Sequence, residues 1–419
     1  MAGSDIGWML ISTALVLLMT PALGFFYAGL VRSKSSLNTL MMSVGSLGVV
    51  GLAWPLLGYS LAFGAGTPGI GGFDHVVLRG VGLEAKGSVP HLLFMAYQGT
   101  FAIVTAALIS GAIVERVRFV PYLLFITLWS LLVYAPVAHW VWGGGWLSTL
   151  GALDFAGGTV VHISAGTAAV VAAVMLGARK DYARQALLPH SVPFTVLGSG
   201  LLWFGWFGFN GGSALAANGQ AVLAFVNTMF APAAALTVWI VLDVVRMGKA
   251  TAVGLATAIV VGLVAITPAA GFVAPVSGIA IGALAAIPSY FGVLWRARTR
   301  LDDSLDVVAA HGLGGIVGAL LTGVLAQRSW GSPVDGLLFG NPSQLMIQAV
   351  AVVVVIAFAA AGTAAILFSL GMIAPIRVAV AEEGIGLDVT QHGEEAYARG
   401  EGAVLVLPAG RGPSAHAAR

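Results

Sequence analysis

Two histidines lie inside long apolar runs of the chain, where an ionisable side chain is costly to bury. His162 follows Asp154 by eight residues, and His311 precedes a glycine-rich stretch. Because hydrocarbon does not solvate a charge, an ionisable group in such a run is a functional hypothesis by default. A histidine titrates near about pH 6.5 and can both accept and donate a proton. The pair therefore predicts proton-transfer chemistry at membrane depth.

Each histidine also has a purely structural interpretation. A single buried histidine is more often a satisfied hydrogen-bond partner between helices, but two at matching positions of a repeat weaken that explanation. A metal site is not expected, because the chain has no cysteine and no HExxH segment. Two histidines alone fall short of a typical ligand set. We therefore expect neither a metal nor a cofactor.

Aromatic rings form a second pattern near the ends of several apolar runs. Phe209 and Ser213 are four residues apart and share one helical face, whereas Phe101 and Trp142 lie earlier in the chain. Aromatic residues at span ends commonly form an interfacial belt. An interfacial belt does not readily explain why the ring of Phe209 and the hydroxyl of Ser213 lie on the same helical face. Aromatic faces attract cations, most strongly where water is excluded, so these residues predict a cation-binding site.

Asp154 admits two interpretations. It precedes the first apolar turn of its run, where an aspartate can cap a helix and interact favourably with the helix dipole. Its charge can also attract cations to the end of the span. We favour the capping role and keep Asp154 among the candidate substrate-binding residues.

The elements that position these residues follow from the composition. Hydrophobic residues make up 58% of the 419 residues and charged residues only 9%, and the mean hydropathy is +0.96. Soluble proteins carry roughly 25% charged residues, so this chain is an integral membrane protein. The pI near 9.0 results from a handful of charges and does not indicate nucleic-acid binding.

Long apolar runs predict an all-α membrane protein with eleven transmembrane helices. Each run approaches the roughly 20 residues that cross a bilayer, and none shows the alternation of a β-barrel strand. The pair in eighth and ninth position is the least certain division, because only a short Pro-containing stretch separates its two runs. The predicted spans are 6–31, 38–63, 91–114, 119–141, 155–178, 192–213, 219–245, 251–268, 275–295, 305–326 and 344–374.

Basic residues predict the orientation. With eleven spans, 16 of the 19 Lys and Arg residues fall on one side, which places the N-terminus outside and the C-terminus inside. We divide the chain into a transmembrane domain, 1–375, and a cytoplasmic tail, 376–419, of which the part past about 402 is expected to be disordered. The two histidines occupy the fifth and tenth spans, which predicts an inverted five-helix repeat, about 6–178 and 192–326, plus a last helix, about 344–374.

Several motifs together resemble one known family. They include Asp-Phe-Ala-Gly-Gly-Thr-Val-Val-His at 154–162 and Gly-Trp-Phe-Gly-Phe-Asn at 205–210, with further matches at 26–30, 311–315 and 386–397. On these residues the chain resembles the ammonium transporter (Amt/Mep/Rh) family over nearly its whole length. The nine-residue string is highly specific.

The resemblance implies a role for each matching residue. Trp142, Phe101 and Ser213 look like the family's outer ammonium-recruiting site, and Asp154 matches the acid that supports it. Phe101 and Phe209 look like the stacked gate beneath that site. The histidines look like the family's twin pore histidines. Tyr97 stands where the family often has a phenylalanine, which changes the local polarity without removing the ring.

The resemblance also implies partners and a location. We expect a homotrimer in the plasma membrane, with ammonium or ammonia as substrate and methylammonium as an analogue. A trimeric PII signalling protein can block the cytoplasmic face of bacterial members. The tail segment 384–397 looks like the part that couples this face to the pore. Its matching residues are Gly386, Asp388, His392, Gly393 and Tyr397.

Three classes of function remain open at this point, namely a transporter or channel, a membrane sensor and a membrane enzyme. We favour electrogenic ammonium transport, in which ammonium is recruited, deprotonated and passed along an apolar pore. A membrane sensor that binds ammonium and signals through its tail is one alternative, and a neutral gas channel of the Rh type is another. A membrane enzyme that uses the histidines as acid and base is not supported by any nucleophile motif.

Overall fold

The computed structural model describes residues 1–397, which form a bundle of long helices with one short β-hairpin. The apolar runs become helices because a helix satisfies its backbone hydrogen bonds within one segment, as hydrocarbon requires. In chain order the helices are α1 (Gly3–Leu30), α2 (Ser33–Phe63), α3 (His91–Ile113), α4 (Phe119–Leu150), α5 (Gly158–Leu176), α6 (Val192–Gly212), α7 (Gly219–Met247), α8 (Ala252–Ile266), α9 (Pro275–Arg296), α10 (Val308–Leu325), α11 (Pro342–Ile373) and α12 (Val380–Ile385). Strands β1 (Ala85–Lys86) and β2 (Val89–Pro90) pair antiparallel between α2 and α3.

Ten helices within residues 1–397 are long and apolar enough to cross a membrane. The eighth predicted span, 251–268, corresponds to the shorter helix α8, which ends at Ile266 before turns that continue to residue 272. The all-α membrane fold is therefore confirmed, whereas the count of eleven spans and their orientation stay predictions. The disorder predicted past about residue 402 lies outside the described residues.

Helix α3 occupies the centre of the bundle. In its most apolar stretch 83% of the residues are buried, and it packs against α1, α2 and α5. Helices α1 and α6, which begin the two predicted halves, also pack extensively along each other. A central α3 places Phe101, from its middle, in the interior of the bundle.

The two histidine-bearing helices begin in the same way. Each starts with a π-helical turn, Gly158–Ile163 in α5 and Val308–Leu313 in α10, and continues as a regular α-helix. An aspartate eight residues before each histidine accepts backbone N–H groups at the helix start. The histidines therefore lie at equivalent positions of two similarly capped helices.

We call the end of the bundle that contacts residues 376–397 the tail face, and the opposite end the vestibule face. Buried ion pairs join several helix ends at the tail face. Arg179 pairs with Asp302 at 2.8 Å and with Glu115, and Arg32 pairs with Glu115 at 2.8 Å. Burial opposes ionisation of Asp302, but Arg179 and Arg116 outweigh it and lower the pKa of this carboxyl. The network fixes the loops that precede α2, α4, α6 and α10.

Candidate functional site

A cavity of about 280 Å³ opens at the vestibule face. It brings together three residues that the sequence predicts as a cation-recruiting site, although they come from different elements. Phe101 belongs to α3, Trp142 to the turn inside α4, and Ser213 follows α6. We call this cavity the vestibule. Its lining consists of Phe63, Phe94, Gln98, Phe101, Val141, Trp142, Phe155, Ser213 and Leu215.

Asp154 positions Trp142 through the main chain. The Trp142 Nε1 donates to the Asp154 carbonyl oxygen at 2.9 Å. The Asp154 carboxylate accepts the N–H groups of Gly157, Gly158 and Thr159, each at 2.7 Å. Val160 N and the Thr159 hydroxyl also donate to it. Because these donors engage both carboxylate oxygens, the geometry supports the capping interpretation rather than direct coordination of a cation.

Ser213 is oriented by two neighbours at the edge of the vestibule. Its hydroxyl donates to the Phe209 carbonyl oxygen at 2.8 Å, and the Tyr97 hydroxyl lies 3.3 Å from Ser213 Oγ. Tyr97 Oη is also 2.9 Å from the Phe209 carbonyl oxygen. Since the Ser213 proton is directed at a carbonyl, a lone pair of Oγ can accept an N–H group from the vestibule. The hydroxyl of Tyr97 thus helps to fix the hydroxyl of Ser213.

Two stacked phenylalanines separate the vestibule from the interior. The rings of Phe101 and Phe209 have centroids 4.2 Å apart and planes 32° apart, and both side chains are buried. Trp142 contacts Phe101 edge-on at 6.0 Å. The two rings of the predicted gate are therefore in contact, between the vestibule and the interior.

The histidines lie behind this gate and contact each other. Their Nδ1 atoms are 3.2 Å apart and their ring centroids 5.3 Å apart. His162 also stacks on Trp206 at 5.3 Å and on Phe209 at 6.0 Å. Ring contacts thus run from the vestibule through Phe101 and Phe209 to His162.

A narrow apolar cavity of about 10 Å³ surrounds the histidines. That volume holds about one water-sized molecule. Apart from the histidines, every residue that borders it is apolar or a tryptophan. These residues are Met19, Leu23, Val104, Leu108, Val161, Leu202, Trp206 and Val260.

The contact between the histidines gives their outer nitrogens opposite roles. One Nδ1 must donate a proton and the other must accept it, because a hydrogen bond needs one of each. In two neutral rings, the donor's Nε2 then carries a lone pair and the acceptor's Nε2 carries a proton. His162 Nε2 is buried and has no hydrogen-bond partner within residues 1–397. The pair can therefore offer one acceptor and one donor to a small polar molecule in the pore.

The predicted regulatory tail packs against helix starts at the tail face. The Asp388 carboxylate accepts the N–H groups of Leu37 at 3.1 Å and Asn38 at 2.7 Å, at the start of α2. Asn38 Nδ2 donates to His392 Nε2 at 2.9 Å, and the His392 ring packs edge-on against Phe119 at 4.7 Å. Burial raises the pKa of Asp388, although the N–H donors act in the opposite direction.

Two glycines and a tyrosine complete the tail contacts. Gly386 has a φ of +120°, and a Cβ there would lie 2.5 Å from the Lys34 carbonyl oxygen. Gly393 ends the turn Asp388–His392 with a φ of +69°. Tyr397 Oη lies 3.0 Å from His190 Nε2. The structure thus places all five predicted tail residues at or near one surface.

Sequence reasoning missed two groups near the site. One is a lysine in an aromatic cage beside the vestibule, formed by Lys86 with Tyr59, Phe63 and Phe94. The other is Trp206, whose ring stacks on His162. Trp206 was detectable, because it lies in the matching string at 205–210. The cage was not, because it joins residues from α2, the hairpin and α3.

Comparisons with known proteins agree with this geometry. The sequence matches the Ammonium Transporter Family over residues 7–397. The chain is 50% identical to an ammonium transporter of Aquifex aeolicus, with 93% of this chain and 92% of that protein covered. It is 47% identical to an ammonium transporter of Bacillus subtilis, with 94% and 98% covered. The chain belongs to the ammonium transporter family.

Solved structures show the same fold for this ammonium transporter. The crystal structure of Candida albicans Mep2 aligns with a TM-score of 0.86 and 36% identity over 91% of this chain and 88% of that one. A structure described as a sensor Amt protein also gives 0.86, with 30% identity over 93% and 98%. The protein is therefore a multi-pass ammonium transporter of the plasma membrane rather than an enzyme.

Within residues 1–397 no cluster of three or more His, Cys, Asp or Glu side chains could hold a metal ion. The described residues thus form a cavity lined with aromatic rings, a contact between Phe101 and Phe209, and a histidine pair in a small apolar cavity. The chemistry available to it is cation binding and proton exchange.

Proposed function

We propose that the transporter recruits ammonium at the vestibule, removes its proton and passes ammonia through the apolar pore. The observation that carries this proposal is the pore at His162 and His311, which has space for about one water-sized molecule. By Born estimates, the transfer of an isolated ion from water into such an apolar medium costs roughly tens of kcal/mol, whereas the transfer of a neutral molecule costs far less. The pore therefore favours ammonia over ammonium.

The vestibule compensates the loss of water around the cation. The faces of Phe101 and Trp142 each offer roughly 0.5–2 kcal/mol of cation–π attraction, and Ser213 Oγ accepts one N–H group. Potassium has a similar charge but no proton to lose. Deprotonation thus acts as a selectivity filter beyond the gate.

The histidine pair moves the proton separately from the ammonia in this proposal. A proton that enters one Nε2 and leaves from the other changes which Nδ1 donates in the shared hydrogen bond. Ammonia and proton then cross together as one net charge, which makes transport electrogenic. Without this relay the same pore conducts a neutral gas.

Purified protein in liposomes tests this function directly. An ammonium pulse should evoke a current that an equal potassium pulse does not evoke. An internal pH change without current would instead show a neutral gas channel. If neither signal appears, the transport mechanism proposed here is wrong.

A sensor function is the second candidate, because the chain is 30% identical to a structure described as a sensor Amt protein.

We further propose a homotrimer whose cytoplasmic face, at the tail, binds a trimeric PII signalling protein. The packed tail supports this, since Asp388 and His392 tie it to the start of α2. Binding of purified PII protein should weaken when residues 384–397 are deleted. Equal affinity of the full-length and shortened proteins for PII would show that the tail does not contribute to this binding. Saturable ammonium binding with little flux would favour the sensor.

A further inference from the structure

The side chain of Lys86 places an ammonium group inside an aromatic cage at the vestibule face. Its Nζ lies 4.9 Å from the ring centre of Phe94, 5.4 Å from that of Tyr59 and 5.6 Å from that of Phe63. Distances within about 6 Å are those of cation–π contacts. We call these three rings the lysine cage. The cage holds a primary ammonium group, the same head group that methylammonium carries.

Hydrogen bonds fix the lysine in this cage. Lys86 Nζ donates to Tyr59 Oη at 3.0 Å, and Tyr59 Oη donates to His91 Nε2 at 2.6 Å. His91 Nδ1 donates in turn to Glu84 Oε1 at 3.1 Å. Every donor and acceptor role is consistent when Lys86 is charged and His91 is neutral. Burial lowers the pKa of Lys86, which reflects the loss of water around its Nζ.

The lysine cage and the vestibule share a wall. Phe63 and Phe94 belong to the cage and also line the vestibule, and their ring centroids are 5.1 Å apart. The hairpin that carries Lys86 is tied to the same rim, since Ser88 Oγ donates to the carbonyl oxygen of Leu215 at 2.5 Å. A cation that enters the vestibule therefore meets rings that already attract a fixed cation.

We propose that the lysine cage is a second cation site of the transporter, filled by its own Lys86, and that Lys86 lowers the affinity of the vestibule for free ammonium. This inference rests on the proposed recruitment of ammonium at the vestibule. Two like charges near each other in a partly desolvated site repel strongly, because the local dielectric is well below that of water. Lys86 thus sets the ammonium concentration at which the vestibule fills.

Glu84 compensates only part of this charge. Its side chain is 56% exposed, and water screens an exposed carboxylate. Lys86 is only partly exposed and faces the shared rings. The net effect on a cation in the vestibule is therefore repulsive, and Glu84→Gln should raise the half-saturating ammonium concentration slightly.

The decisive variant is Lys86→Met, which keeps the length and apolar stem of the side chain but removes its charge. Its current in liposomes should be half-maximal at about a tenfold lower ammonium concentration, equivalent to about 1.4 kcal/mol. Lys86→Arg, which keeps the charge, should stay near the parent value. Arg328→Gln removes a charge from the same predicted side outside the vestibule lining and should also change nothing. Misfolding cannot produce such a gain in affinity.

Calorimetric titration with methylammonium in detergent separates this inference from the proposed function. If Lys86→Met binds methylammonium more tightly than the parent does, the result supports the inference, whether or not either protein carries a current. If neither protein carries a current, only the proposed transport mechanism fails. Equal or weaker binding to Lys86→Met overturns the inference, even where the parent carries an ammonium current. Absence of methylammonium binding in both proteins overturns it as well.

Discussion

Helices α5 and α10 carry the two pore histidines on the same local framework, but their first turns lie in different surroundings. Both begin with a π-helical turn after a capping aspartate that is eight residues before the histidine. In α5 the cap, Asp154, is surrounded by uncharged donors and holds Trp142 at the vestibule. In α10 the cap, Asp303, lies beside Asp306, which pairs with Arg296.

This difference shows that the same local framework occurs in two different surroundings, at opposite ends of the bundle. The cap sets the depth of each histidine, so the two rings meet although their helices start at opposite ends of the bundle. What surrounds the cap sets the local function. The donors around the Asp154 carboxylate are uncharged, whereas ion pairs surround the cap at the tail face and anchor loops there.

The largest expected effect comes from removing one cap. Asp154→Ala leaves four backbone N–H groups without their acceptor, and we expect a loss of roughly 3–5 kcal/mol of unfolding free energy. Asp303→Ala removes the acceptor of only two, Val307 and Val308, and should cost about 1–2 kcal/mol. Unfolding midpoints in detergent measure both. Equal midpoints would show that the two caps do not differ as described.

A glycine pair sharpens the comparison at the point where α5 and α10 touch. A Cβ at Gly166 would lie 2.5 Å from the backbone of Gly312, whereas a Cβ at Gly312 would have its nearest neighbour at 3.8 Å. Gly166→Ala should therefore force the helices apart, cost about 1–3 kcal/mol and reduce the ammonium current. Gly312→Ala is the matched control and should keep most of the current. A reversed order of the two variants would contradict the packing.

The surroundings of Asp303 predict that the stability of the folded protein depends on pH. Burial and the neighbouring Asp306 raise the pKa of Asp303 to about 7. The folded protein therefore binds a proton at Asp303 more tightly than the unfolded chain does. The stabilisation that this proton provides is fully present below the unfolded-state pKa of about 4, and it is lost as the pH rises through 7. Asp303→Asn should be free of this loss and gain at least about 1.4 kcal/mol relative to the parent at pH 8. Parallel stability curves for parent and variant between pH 5 and 8 would contradict this.

The smallest effect concerns the hydroxyl of Tyr97. Tyr97→Phe removes a partner of Ser213 and of the Phe209 carbonyl oxygen, and we expect the half-saturating ammonium concentration to rise about fivefold, or about 1 kcal/mol. Asp388→Ala, at the opposite face, should leave that concentration unchanged. Concentration series of the ammonium-evoked current measure both variants. A shift for Asp388→Ala as large as that for Tyr97→Phe would remove the distinction between the two faces.

The sequence predicted the parts of this picture that depend on local pattern. Apolar runs predicted the long helices, and the position of Asp154 predicted a cap. The equivalent cap at Asp303 follows the same eight-residue spacing to His311, but neighbouring acids concealed it. The stacking of Phe101 on Phe209 was implied only by the family resemblance, because the two residues are more than a hundred positions apart.

Other features depend on tertiary contacts that no local pattern reveals. Helix α8 is shorter than predicted, since its apolar run reaches Thr267 and Pro268 while the helix ends at Ile266. The lysine cage requires the hairpin to fold back over α2 and α3. The hydroxyl of Tyr97 meets Ser213 only through a contact between α3 and the end of α6, more than a hundred residues apart in the chain.

The central claim is that the histidine pair carries the proton while ammonia crosses the pore. The most direct test replaces His162 and His311 together with leucine and records the current that an ammonium pulse evokes in liposomes. The proposal predicts that this current disappears, since the apolar pore then lacks any group that exchanges protons. A current of parental size in the double variant would contradict the proton relay.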